Sequence, residues 1–299
     1  MNKLFCVSAA KYAEAYRFEV YRPASLDRPG DHSVMFINEK NAGRIDRIAE
    51  VRNCIIFHPT TLEIPRSVKE HNLTIPSEDP RTAYCLFFRE NHIVYLPPKE
   101  RMRCVDGAMI AETAVIGKNT TIMPLAYIGG EVTIGDNVYI GTGVKIVGKV
   151  RIGDNVVIRE NAVIGADGLS TDRDPDGRAA TMPQFGGVVI GDGVQIGAVT
   201  VIARGAIDDT IISRGAKIDN SCFISHNVFV GEDTFVVGET ILFGGSSTGK
   251  QAFISGNSTV RNKVVIGDHA TVGMGAVVTK NVGNDTVVFG NPAHTKDRG

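Results

Sequence analysis

Apolar positions divide the chain near residue 105. From Ile110 an aliphatic residue returns at every sixth position, through Ile116, Ile122, Ile128, Ile134, Ile140, Ile146, Ile152, Ile158 and Ile164. A small or β-branched residue often stands two positions earlier and a glycine one later, so the unit reads V-x-I-G-D-N. Neither the helical period nor simple strand alternation yields six, whereas a short strand plus a tight turn does. Each unit supplies one inward aliphatic side chain. Its burial is worth about 1.5–3 kcal/mol and is available only when successive coils stack, so the pattern predicts a solenoid. The phase fails at residues 166–187, ADGLSTDRDPDGRAATMPQFGG, which reads as an excursion loop, and resumes at Ile190, Ile196 and Ile202. After a slip through RGAIDDT it continues from Ile212 to Val278, with Thr248 the one polar inward position.

Residues 1–105 lack the repeat. Strand-like runs (HSVMFIN, NCIIFHP) alternate there with helix-like ones (AGRIDRIAEVRN, DPRTAYCLFFREN), which predicts a small α/β domain joined through LPPKERMR. The expected organisation is an α/β domain over 1–105, a repeat domain over 106–290 and a short tail over 291–299, with no terminal helix.

Hexapeptides of this form resemble those of the left-handed parallel β-helix acyltransferases, in which three make one coil. The fold class expected is therefore mainly β: a left-handed parallel β-helix of hexapeptide repeats with a small N-terminal α/β domain. The hand comes from the resemblance, since the general rule for parallel crossovers favours the other one.

Composition narrows the function classes. Among 299 residues, 32 Lys and Arg balance 33 Asp and Glu, so no strong field draws nucleic acid or an anionic membrane. Five scattered cysteines without C-x-x-C spacing fit reduced thiols and a cytoplasmic location. No run of about 18 apolar residues suggests a membrane span, and no signal sequence is expected. The 33 glycines and the absence of Trp agree with a turn-rich repeat.

Candidate chemistry centres on His226 in DNSCFISHNVFVG. A lone turn histidine in a solenoid is ordinarily a solvated one. With 18 residues per coil, however, the position stacked beyond His226 is Gly244, followed by Gly245, so bare backbone covers the imidazole. That suits a general base beside an oxyanion donor. Asp219 and Asn220 lie just upstream, and Asp208 and Asp209 about one coil below, so a carboxylate can fix the tautomer; which Asp does so is left open. Neighbouring Asn227 is a further candidate for binding substrate. No histidine spacing suits a metal. Cys222 occupies an inward slot and reads as a packed thiol. GGSSTGKQ matches a phosphate-loop pattern only in part, because Gln251 replaces the Ser or Thr and repeats follow it. Phe223, Phe229, Phe235, Phe243 and Phe253 flank inward positions and are expected to form an outward cluster that meets another subunit.

ENAVIGADG, PQFGGVVIGD, RGAIDDTII, KIDNSCFISHNVFVGE and GMGAVV follow one another as in the UDP-3-O-acylglucosamine N-acyltransferases of lipid A synthesis, and DPRTAYCLFF is similar to that family's uridine-binding domain. The resemblance implies His226 as base, Gly244 as oxyanion donor, Asp219, Asn220 and Phe36 as site residues, and a homotrimer with sites between subunits. Three features depart from it: Ala42 stands where a Tyr pairs with the Phe, Lys263 falls near a second histidine, and the chain ends VVFGNPAHTK, as in coenzyme A-dependent sugar acetyltransferases. The function expected is acyl transfer, without cofactor or metal, from acyl-CoA or acyl carrier protein to the amine of a nucleotide-linked amino sugar in surface-glycan synthesis. The alternatives are the lipid A enzyme itself and a non-catalytic β-helix scaffold.

Overall fold

A computed structural model describes residues 3–96 and 99–296. Pro97 and Pro98 of the expected joint, and residues 297–299 of the tail, lie outside the described residues. The chain divides into two compact units, one of residues 1–96 with 169–185, the other of 97–168 with 186–299.

In the first unit four strands, Arg22–Pro23, Ser33–Phe36, Ile55–Pro59 and Leu73–Ser77, pair in parallel in chain order. The middle strands are buried almost throughout, as a parallel sheet covered by helices requires. The run expected as a helix over AGRIDRIAEVRN winds instead as 3-10 turns over Glu39–Ile48, where Asn41 and Gly43 are weak α-formers. Helix Pro80–Glu90 begins as its sequence dictates: the Asp79 side chain accepts from the Arg81 and Thr82 N–H groups, and proline fills the first turn. Residues 169–185 group with this unit as more than a loop. Thr171–Arg173 and Ala179–Thr181 form an antiparallel hairpin around a D-P-D-G turn. Arg81 and Arg89 of the helix bond Asp172 and Asp174 at 2.6 and 2.8 Å, and the Arg89 bond holds the Asp174 carboxyl below the usual range.

The second unit is the predicted solenoid. Its strands form three parallel sheets, and Thr121 opposite Tyr139 shows the 18-residue step. The inward column from Ile110 to Val278 is one continuous apolar core. The D and N of the repeat have separate jobs. Asp136 accepts the Lys118 N–H, Asp154 that of Asp136 and Asp192 that of Asp154, at 2.6–2.9 Å, so each carboxylate caps the turn one coil away. Asn119, Asn137, Asn155 and Asn161 adopt positive φ, the left-handed conformation that asparagine tolerates. Thr248 earns its polar exception: its Oγ1 accepts the Gly231 N–H at 3.0 Å, a bond made elsewhere in the column by a main-chain carbonyl.

Two features depart from the sequence expectation. The end is not a free tail, because Ala293–Lys296 folds back antiparallel on Val287–Gly290. The five phenylalanines do not form one cluster. A six-residue step moves each outward position to the next face, so Phe223, Phe229 and Phe235 lie in three different sheets. Phe235 and Phe253, 18 positions apart, do meet, with ring centroids 5.9 Å apart.

Candidate functional site

His226 follows the strand Phe223–Ile224 at one corner of the β-helix. Its neighbour one coil on is Gly244: a Cβ built there would lie 2.5 Å from His226 Nε2, so only glycine leaves room for the imidazole edge. The ladder uses the Phe243 N–H to Val260 O and the Gly245 N–H to His226 O, neither of which engages the Gly244 N–H.

The tautomer follows from the next residue. Asn227 takes φ 59°, and its amide is fixed at both ends: Oδ1 accepts the Ala206 N–H at 3.0 Å and Nδ2 donates to Asp208 O at 2.7 Å. His226 Nδ1 lies 3.1 Å from that Oδ1 and therefore donates to it, which leaves the basic lone pair on Nε2, against Gly244. The partner of Nδ1 at 3.1 Å is thus the side-chain amide of Asn227.

The slip through RGAIDDT decides what lies below. Ile202 pairs with Ile224, a 22-residue step, so Arg204 and not Asp208 occupies the position beneath His226. Arg204 is 1% exposed and pairs with Asp167 at 2.5 Å. Gly168, next to Asp167, abuts the imidazole, since a Cβ on it would come within 2.7 Å of the His226 Cβ. Asp208 joins the site through its main-chain carbonyl. Asp209 is buried, accepting the Gly187 N–H at 2.8 Å and pairing with Arg151 at 2.9 Å, and so ties the chain down where the repeat resumes.

The remaining candidates lie elsewhere. Asp219 and Asn220 stand at the preceding corner of the same coil, where Asp219 accepts the Gly238 N–H at 3.1 Å and Asn220 caps Ala198 at 2.7 Å. With Arg159, Lys217 and Phe235 they line an open cavity of about 350 Å³. Phe36 belongs to the first unit and packs on Tyr84, centroids 5.0 Å apart. His226, Gly244, Asn227 and the Asp208 carbonyl thus come together within the second unit, and Asp219 and Asn220 stand at another corner of it. Sequence reasoning missed Arg204, Asp167 and Gly168, although ADG at the exit of the last regular coil and an arginine in the slip were the available signals.

Cys222 is a core thiol, with burial pushing its pKa up to about 11. The GGSSTGKQ segment is turn, strand and turn, with exposed Lys250 paired to half-buried Glu232. Among the described residues no cluster of three or more His, Cys, Asp or Glu can hold a metal, and no helix is long and apolar enough to cross a membrane.

Three sheets of six-residue repeats stacked in 18-residue coils define the fold: a left-handed parallel β-helix. The family described as bacterial transferase hexapeptide (six repeats) matches residues 113–148 and 132–166. The chain is similar to the UDP-3-O-acylglucosamine N-acyltransferase of Bordetella parapertussis, 38% identical over 141 residues, which are 45% of this chain and 39% of that protein. It is also similar to the enzyme of that name from Francisella tularensis subsp. holarctica, 53% identical over 79 residues, or 26% and 23% of the two chains. The alignments thus span less than half the length of these relatives. Two solved structures share the fold: a UDP-N-acetylglucosamine acyltransferase from Bacteroides fragilis (TM-score 0.59, 24% identity, 65% of this chain and 74% of that one) and one from Campylobacter jejuni (0.57, 23%, 65% and 74%).

Proposed function

We propose that the protein transfers an acyl group from a thioester, acyl-CoA or acyl carrier protein, to the amine of a nucleotide-linked amino sugar. The observation that carries this reading is His226, its Nδ1–H given to a fixed amide and its Nε2 set against the bare backbone of Gly244. Nε2 takes a proton from the amine as the nitrogen attacks the thioester carbonyl. The Gly244 N–H donates to the oxyanion of the tetrahedral intermediate. Collapse breaks the C–S bond, and the imidazolium returns its proton to the departing thiolate. No metal or cofactor is called for.

Asp219 and Asn220 contribute, in this reading, from a neighbouring subunit. The His226 corner and the Asp219 cavity lie one face apart in a single chain, and a homotrimer can bring the corner of one copy to the face of the next. The first unit binds the nucleotide, with Phe36 against the base, and the domain plan of the sequence is retained with residues 169–185 added to that unit. The reaction is read as a cytoplasmic step of lipopolysaccharide or surface-glycan synthesis; the names of the relatives support the N-acylation of a UDP-linked glucosamine.

The test is direct. The protein is incubated with acetyl-, hydroxybutyryl- and long-chain thioesters against UDP-, GDP- and dTDP-linked amino sugars, following free thiol and product mass. One pair should turn over, and His226→Ala should lower that turnover by about 10² to 10⁴ with the fold intact. A protein that releases no thiol with any pair is a scaffold instead.

A further inference from the structure

We propose that Asp167, held by the buried Arg204, is the residue that recognises the acceptor's amine; this rests on the reading of His226 as the acyl-transfer base. Arg204 is the largest fully buried side chain among the described residues, and a guanidinium is rarely buried without a specific partner. Its environment is built for it. Gly148, at φ 66°, leaves space for the guanidinium, since a Cβ there would lie 3.1 Å from Nη1, and the Arg204 N–H donates to Ala166 O at 2.9 Å, fastening the strand end that carries Asp167.

The pair is asymmetric. The Arg204 side chain is 2% exposed and that of Asp167 is 56% exposed, so one partner is fixed in the interior while the other presents carboxylate oxygen to solvent. A free carboxylate of this exposure would be mobile; anchored to a buried cation it is a fixed acceptor. Its position is set by the chain, because Gly168 follows directly and lies against the His226 side chain. Consecutive Cα atoms are about 3.8 Å apart, so Asp167 is the chain neighbour of the residue that touches His226. A sugar amine carries a proton through much of the neutral range, and a charge-assisted bond to a fixed carboxylate distinguishes it from a hydroxyl or an amide. Asp167 thereby selects nitrogen as the acceptor, and Arg204 acts as a positioning residue through it.

The experiment measures binding rather than turnover, using UDP-glucosamine and its neutral counterpart UDP-N-acetylglucosamine in calorimetric titrations of the full-length protein. Wild type should prefer the amine by tenfold or more. Asp167→Asn, an isosteric change at an exposed side chain, should bind the neutral sugar as before and lose the preference. Asp167→Glu should recover part of it, and Arg204→Gln, if it folds, should lose it as well. Preference for the amine that survives Asp167→Asn, or wild type that binds both sugars equally, overturns the role of Asp167 and leaves the acyl-transfer reading standing. Wild type that binds neither sugar overturns recognition of a UDP-linked amine by Asp167 and leaves acyl transfer to a GDP- or dTDP-linked acceptor standing.

Discussion

Gly244 lies so close over His226 that a single added methyl would reach within 2.5 Å of the imidazole Nε2. Because Gly244 does not need positive φ, the side chain of His226 is what excludes alanine there. Gly244→Ala should destabilise the protein by about 1–3 kcal/mol through overpacking and abolish turnover by displacing the base. In the double variant with His226→Ala the stability cost should disappear, which urea denaturation of the four proteins in the cycle would measure.

Asn227 sets the direction of the imidazole. Asn227→Asp tolerates the left-handed backbone but loses the donor to the Asp208 carbonyl and puts a carboxylate at Nδ1. A negative charge there favours the imidazolium, so the acid limb of the pH–rate profile should move to higher pH. Asn227→Ala should instead lower turnover across the profile and cost about 1–2 kcal/mol of stability from the strained backbone and the lost hydrogen bonds. An unmoved acid limb in Asn227→Asp would show that Asn227 does not orient the base.

If sites form between subunits, inactive variants should rescue one another. His226→Ala and Asp219→Ala homotrimers, unfolded together and reassembled, should regain about a quarter of wild-type activity, the share of interfaces that pair two intact halves in a random mixture. Light scattering should give three chains per particle. Absence of rescue in properly reassembled trimers would assign both residues to one chain's site or remove Asp219 from it.

The buried thiols make a pH prediction. Burial raises Cys222 from 9.0 to about 11, and Cys85 in the first unit likewise. A raised folded pKa means that the native state holds its proton more tightly than the unfolded chain, so this stability is present below pH 9 and is lost as pH rises through about 11. The urea midpoint should fall over that window, and less in Cys222→Ala. At pH 8 a thiol reagent should modify exposed Cys6 and Cys104 and spare Cys222.

Asp209 is buried, and Arg151 and the Gly187 N–H are among its partners. Asp209→Ala should cost about 2–4 kcal/mol, because it orphans a buried N–H and an ion pair together. A shift of the urea midpoint equivalent to less than 1 kcal/mol would show that this anchor is dispensable to the fold.

The repeat made most of the β-helix legible. A six-residue period names the inward residue of every coil, and regular stacking C-terminal to His226 put Gly244 over it. The same arithmetic misplaced the coil below. The slip lengthens that step to 22 residues and brings Arg204 under His226 where uniform stacking gives Asp208.

What the sequence by itself determined is what repeats: coil length, the inward apolar column, the capping Asp and Asn of the turns, and the histidine with a glycine beyond it. Each follows from contacts between chemically equivalent positions, so one rule serves for all. Only the tertiary structure decided the rest: Asn227 as the partner of Nδ1, Asp219 at another corner, the phenylalanines on three faces, residues 169–185 grouped with the first unit, and Asp167 pinned by Arg204. These depend on where two irregular insertions return the chain and on how individual side chains turn, and a periodic pattern carries no information about either.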